Sequence, residues 1–564
     1  MCLGAEQRES FHNGIFESYD ILDYKTGQNI PAPAGGTYTA EADYLTETAV
    51  NILEDVSNNP IVPFFYGQRL WFGGTLRNPG KITGSSPGQY RDFGRIPVLT
   101  QGNSFDFEIF FGNNSGVKYL QAVRELMVFG GASEWSLGAD TSPTGISPSR
   151  QSSYGVGDVA PVATENSILF AAGKNIVRDF GYNFQSGGYK GNDLSIFASH
   201  LFEGKEIVSM AFQRRPDPIL WCVMDDGSVR SLTYFAEQQI SAWSQHNLGR
   251  KALEVFVANE FQVSHVYFKL QDGDDIFIER LAQPDITDDR TFRYADSHKF
   301  VDLRNKDAAK TVRLESTATV DPYSPQDTSM TLTLTGHEFD PMPNFIDLLD
   351  TSGYIRLIVT GVTTPKTKFM VRVDDEVPRG FHNTPTPGWS LPVKEVDGLD
   401  HLNNKQVSVF ADGSVISSPN NPQAQHLQVV AGKVALGGYY STICVGLPFV
   451  SDAITLPIDL RGEDTVVDQN MNVNKMALYV HNTRGLFVGS REPASETSVD
   501  GLVPLKTNFD GDPEVRPENG IVQKVITGNW SKTGEIIVRQ VDPLPMNLQG
   551  IVLFGDLIAT QRSR

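Results

Sequence analysis

The chain has 564 residues, 40% of them hydrophobic, which is enough to bury a large core and excludes a disordered polymer. Lys and Arg number 47 against 67 Asp and Glu, a net charge of −20 that excludes a surface built to grip phosphate. Apolar runs are strand-sized, well short of the roughly 18 residues a membrane helix needs, so no membrane insertion is expected.

The opening MCLGAEQRESFHNG lacks the basic start and apolar stretch of a secretory signal, and Cys2 sits where N-myristoylation needs glycine. Three cysteines, Cys2, Cys222 and Cys444, lie far apart in sequence. They fit neither a disulfide framework nor a zinc site, and point to folding in a reducing cytosol.

Residues 1–60 read as an N-terminal extended segment, with GQNIPAPAGGTYTAEADY as a loop. Over 61–285 one pattern recurs: an apolar strand, a tight Gly, Asn or Asp turn, and a second strand. It appears in RLWFGGTLRNPGKITGSS from Arg69, LMVFGGASEWSLGAD from Leu126 and SILFAAGKNIVRDFGY from Ser167. ILWCVMDDGSVRSLTYF from Ile219 and HVYFKLQDGDDIFIERL from His265 complete the series. The equivalent positions Leu70, Leu126, Leu169, Leu220 and Val266 are spaced 56, 43, 51 and 46 residues apart. Propeller blades recur at about 40–50 residues, because each is a small sheet that buries its faces only against neighbours. The spacing predicts an irregular β-propeller-like platform with these five positions on equivalent strands. Gly130 and Gly131 then make a turn, Trp135 fills space between blades, and Trp221 and Trp243 are buried. KYLQAVRELMVF is the one stretch that reads as a short helix, ending where Glu125 opens a strand.

The next segment, 286–396, reads as a linker and an inserted small β domain. QPDITDDRTFRYADSHKF is polar, and MTLTLTGHEF, GYIRLIVTGV and KFMVRVDDEV are strand candidates for a small sandwich or barrel near 310–380. PRGFHNTPTPGWSLP reads as a stiff connector. Residues 397–564 form a C-terminal β region with strands in QVSVFADGSVI, LQVVAGKVALG, KMALYVHNTRGLFVG, IVQKVITGNW and GEIIVRQ. Within it, residues 490–520 are long, polar and punctuated by Gly and Pro, the character of a functional loop. The fold class expected is therefore all-β.

Chemistry-bearing motifs are missing: no Walker loop, dinucleotide fingerprint, HExxH or G-x-S-x-G occurs. The histidines are scattered; His200 and His246 read as hydrogen-bonded turn or core residues. DGDD at 272–275 and NFDGDPE at 508–514 have the composition of calcium loops without the alternating ligand pattern, and read as solvated turns. No catalytic, cofactor-binding or metal-binding residue is expected, and no enzyme activity.

Several ordered blocks resemble the tail nozzle, or tail tubular protein B, of short-tailed bacteriophages. They are RLWFGGTLRNPGKITGSSPGQYRDF (69–93), ELMVFGGASEWSLG (125–138), SYGVGDVAPVATENSILFAAGKNIVRDFGY (153–182) and NDLSIFASHLFEGKEI (192–207). PDPILWCVMDDGSVRSLTYFAEQQISAWSQHNLG (216–249), IFIERL (276–281), GLDHLNNKQVSVFADG (398–413), GKVALGGYYSTICVGLPF (432–449) and VDPLPMNLQGIVL (541–553) follow in order. The resemblance spans about 60–285 and 397–564, while 10–27 matches weakly and the part before Arg69 is shorter than in larger members. It implies a virion structural protein of the tail, assembled in the bacterial host cytoplasm as a homo-oligomeric ring, a hexamer. Its implied partners are the tail adaptor (head-to-tail connector), tail fibres or spikes, and viral DNA that passes through the lumen without specific binding. A net-negative lumen suits such a conduit, since it repels phosphate. The alternatives from other classes are a polysaccharide-degrading propeller enzyme and a receptor-binding tail protein.

A nozzle needs a gate, and loops open more cheaply than packed strands. Residues 490–520 are the expected gate, with Gly501, Gly511 and Gly520 as hinges and Pro493, Pro504, Pro513 and Pro517 limiting its conformations. The inserted module near 310–380 is the rival candidate for the tip.

Overall fold

The computed structural model describes residues 59–558, apart from 94–99, 112–114, 139, 284–287, 351–352, 365, 459–469, 491–494, 496–497, 506–517 and 527–529, and also the short paired strands Ile21–Leu22 and Asn29–Ile30. The fold is all-β, and the chain divides into two compact units, Met1–Leu281 and Ala282–Arg564.

Five antiparallel sheets follow one another in the first unit. The first four each have four strands in chain order, and the fifth has three. Each hairpin expected from the repeat supplies the second and third strands of its sheet: Arg69–Thr75 with Lys81–Gly84, Leu126–Gly130 with Glu134–Ser136, and Ser167–Ala172 with Ile176–Asn183. Ile219–Met224 with Val229–Phe235, and Val263–Asp272 with Asp275–Arg280, complete the set. Leu70, Leu126, Leu169, Leu220 and Val266 all lie on second strands.

The sheets pack face on face, and alternation along each second strand shows how. Leu126 and Val128 join Trp71, Ile82 and Phe105 of the first sheet, while Met127 and Phe129 join Ile168, Phe170 and Phe180 of the third. Leu169 and Ala171 then turn to Leu220, Cys222 and Leu232 of the fourth sheet. Trp221 and Val223 turn to Val266 and Phe268 of the fifth. Side chains alternate with period two, so a strand between two sheets must be apolar at every position. LMVFG, SILFAA and ILWCVM are such runs. This is blade-like, propeller-type stacking. The five equivalent positions share a strand but not a face: Leu126 points back toward the first sheet, Leu169 forward to the fourth, and Leu70 is only half-buried beside the core residue Trp71.

KYLQAVRELMVF is not helical. It forms strands Val117–Ala122 and Leu126–Gly130, because the seams on both sides need extended, two-faced strands. Gly130 ends one of them, where a Cβ would meet the Phe111 ring at 2.3 Å. Trp135 packs at the first seam, edge-on to Phe111, as a space filler.

In the second unit, the inserted module is a six-stranded sheet whose strands run, across the sheet, Thr311–Glu315, Thr331–Thr335, Lys368–Val373, Gly353–Thr364, Phe345–Asp350 and Trp389–Ser390. One core of Val312, Leu332, Ile346, Leu357, Phe369 and Val371 underlies it. The Pro-rich stretch is not a free connector. Phe381 and Trp389 bury in that core, and Thr386 bridges Val312. The linker is also partly structural: Phe292 is buried, and Asp296–Asp302 pairs with Thr442–Leu447. Apolar anchors among polar neighbours outweigh the flexibility that the composition implied. Each strand expected after residue 397 is present, and Asn470–Thr483 is the longest, flanked by Glu518–Val525 and Leu548–Ile558.

Trp221 is 5% exposed and donates its indole N–H to Gln213 Oε1 at 3.1 Å. Trp243 is only half-buried, edge-on to Phe202. Trp221→Ala is expected to cost about 3–5 kcal/mol, typical of large core truncations, and Trp243→Ala clearly less. Urea denaturation of both variants measures the difference, and equal losses would contradict the depth assigned to each ring.

Candidate functional site

The turn containing Asp272 and Asp275 is tied down: Arg250 donates to Asp272 at 3.3 Å and to Glu279 at 2.5 Å, with its guanidinium over the Phe277 ring. An acidic turn neutralised by a buried arginine is structural. Residues 508–514 lie largely outside the described residues. Among the described residues no group of three His, Cys, Asp or Glu is placed to hold a metal ion.

His200 is exposed on a short 3-10 turn, Ile196–Leu201. His246 is partly buried, its Nε2 2.7 Å from the Ser231 hydroxyl and its ring near Trp221. Burial, with Arg230 nearby, pushes its pKa down to about 4, so it is neutral near pH 7 and makes no cation for an anionic ligand. Burial also raises the thiols of Cys222 and Cys444, which are unpaired and inert in their cores. Cys2 lies outside the described residues.

The stretch expected as a gate is not one loop. Val503–Pro504 is a strand paired with Phe487–Gly489, and Leu505 is buried. Gly520 sits within the strand Glu518–Val525, opposite Val480, and so is not a hinge. Gly501, at φ +81°, and Gly520, at φ +100°, both have open space about them, but of the two only Gly501 lies outside a strand. Pro504 is a strand residue, while Gly511, Pro493, Pro513 and Pro517 lie outside the described residues. Apolar Leu502, Val503 and Leu505 inside a polar stretch are what draw it onto the sheet. Removing 495–515 would therefore strip packed strand, not loop alone.

Besides Arg250, three further buried arginines, unforeseen from sequence, organise these regions. Arg69, 2% exposed, donates to the carbonyls of Ser85, Asn103 and Gln101, tying the start of its strand to the end of the following turn. Arg230, 1% exposed, donates to the carbonyls of Leu201 and Val229. Arg539 grips Asp452 through two bonds of 2.7 and 2.6 Å, and also donates to the carbonyls of Ser495 and Ser498. That last set anchors the near end of the expected gate segment. The signal was present: each arginine interrupts or opens an apolar strand run, in RLWFGG, SVRSLTYF and IIVRQ. An arginine there must either leave the core or be fully paired.

Comparison with known proteins finds no matching family and no matching curated protein. Among solved structures, the chain is similar over 57% of its length to Chaetomium thermophilum Raptor, at 9% identity and a TM-score of 0.25, across 28% of that chain. It is similar over 57% to the β-propeller domain of Myceliophteria thermophila Cps50 (Swd1), at 9% identity and a TM-score of 0.24, across 96% of that chain. At these scores neither bears on what this chain does.

Arg539→Met leaves Asp452 without its partner and frees the Ser495 and Ser498 carbonyls. The expected cost is about 3 kcal/mol, the lower end for a broken buried pair, since Asp452 keeps some contact with solvent. Urea denaturation measures it, and limited proteolysis should cut faster within residues 490–502. Wild-type cleavage in a destabilised variant would show that Arg539 does not anchor the segment.

Proposed function

We propose that this chain is a virion structural protein, the subunit of a ring-shaped tail nozzle that retains a phage genome and then conducts it. The observation that carries the reading is the order of the resembling blocks. Those at 69–93, 125–138, 153–182 and 216–249 each contain the second and third strands of one sheet, so the resemblance follows the structural repeat rather than a single motif. Five blade-like sheets suit a platform, and a net charge of −20 suits a conduit along which DNA slides. In this reading the partners are five further copies in a hexamer, the tail adaptor, tail fibres or spikes, and DNA that is passed but not bound. The segment held by Arg539 becomes the part that changes on opening, hinged at Gly501.

Electron micrographs of the assembled protein should show sixfold rings, and the protein should release no sugar from host capsule or lipopolysaccharide. An elongated trimer would favour receptor binding, and sugar release a degrading enzyme. The rings should also leave duplex DNA unshifted in electrophoresis at low salt. Sub-micromolar, salt-dependent binding would contradict an acidic conduit.

A further inference from the structure

Glu134 lies on the third strand of the second sheet and is 0% exposed. It stands opposite Phe129 in the ladder, on the face turned toward the third sheet. One carboxyl oxygen, Oε2, accepts hydrogen bonds from the Ser152 hydroxyl and, at 3.2 Å, from the Tyr154 N–H. The other, Oε1, is buried with no partner among the described residues. From the third sheet it is faced by Arg178, opposite Phe170, whose guanidinium lies over the Tyr154 ring at 3.8 Å and donates through one Nη to the Gly191 carbonyl, while its Nε is buried and bonds neither oxygen of Glu134. From the segment leaving the second sheet it is faced by Tyr154. Lys118, on the first strand of its own sheet, is engaged with Asp158.

The donors to Oε2 belong to the stretch that crosses from the second sheet to the third. In that stretch Val156 donates to the Gly130 carbonyl at 3.0 Å and Gly157 to the Ala171 carbonyl at 2.8 Å. An ionised carboxylate here would hold an oxygen stripped of both water and donors, the costliest state for a buried acid. A proton on Oε1 removes the charge and leaves Oε2 free to keep its two bonds.

We propose that Glu134 is a proton-operated lock on the seam between the second and third sheets, neutral when the seam is closed, whose ionisation loosens the crossing segment 152–157. Burial pushes the carboxyl up, against the opposing pull of its hydrogen bonds and of Arg178. A carboxyl raised on folding contributes stability that is fully present below its unfolded pKa, about 4.3, and lost as pH rises through the folded value. His246 acts in the opposite sense, being lowered on folding, but it is common to any pair of chains that differ only at Glu134.

The test compares thermal unfolding of the full chain with that of Glu134→Gln, between about pH 4 and about pH 8. The two should melt together at the acid end, with wild type falling below the variant by a few degrees at the alkaline end. Just above the unfolded pKa of about 4.3, the infrared spectrum of wild type minus variant should contain the carbonyl band of a protonated carboxylic acid. The same pH dependence in both chains, or a carboxylate signal in the infrared difference, overturns the proposal. So does wild-type stability that rises with sodium or potassium while that of Glu134→Gln does not, which would place a cation against Oε1. If Glu134→Gln fails to fold, Glu134→Met, which also lacks a titrating group, takes its place in the infrared difference. Loss of the difference band on raising the pH supports the lock, and its absence throughout overturns it.

Discussion

The first unit depends on one constraint: its inner sheets have no free face. A strand between two neighbours must send alternate side chains into two different cores, and that excludes the polar face an ordinary antiparallel strand keeps for solvent. Polar groups are admitted only where a specific partner waits, as for Arg69 and Arg230 on backbone carbonyls. The exceptions among the described residues cluster at the second and third sheets: Glu134 Oε1, Arg178 Nε, Asp179 Oδ1 and the Tyr189 hydroxyl are buried without a partner. Within such a seam a charge is felt strongly, because it is buried away from water.

Turns carry the geometric demands that the strands cannot. Gly227 closes the fourth sheet's hairpin at φ +87°, where a Cβ would press on the Lys251 side chain at 2.3 Å. The acidic residues of such turns are engaged locally: Asp226 is held ionised by Lys205 and Ser228, and Asp272 pairs with Arg250.

The second unit solves a different problem, that of fixing an inserted sheet to its body. Asp347 is wholly buried and bound through both oxygens by Arg356, which also donates to the Tyr439 carbonyl. Ser441 donates to the same carboxylate and lies 2.6 Å from the Ser390 hydroxyl. Each of these groups is satisfied only in one register, so the network specifies how the module sits as well as holding it. Arg539 does the same for Ser495 and Ser498, whose carbonyls it ties to the strand Ile537–Gln540.

The sequence by itself determined the all-β class, the five hairpins and the strand on which each repeat position falls. Those follow from local chemistry: two-sided apolar runs, and turns rich in Gly, Asn and Asp. It also carried the buried arginines as exceptions within apolar runs, and the block order behind the proposed function. Only the tertiary structure decided which seam each residue serves, since a one-residue shift along a strand exchanges one core for the next, as between Leu126 and Leu169. Only packing showed that KYLQAVRELMVF is extended, that the Pro-rich stretch and linker are anchored by Phe381, Trp389 and Phe292, and that Leu505 pins the expected gate. The neutral environment of Glu134 was likewise invisible in sequence. Burial is a sum over neighbours distant in the chain, and no local pattern records how many donors survive when two sheets close on one carboxyl.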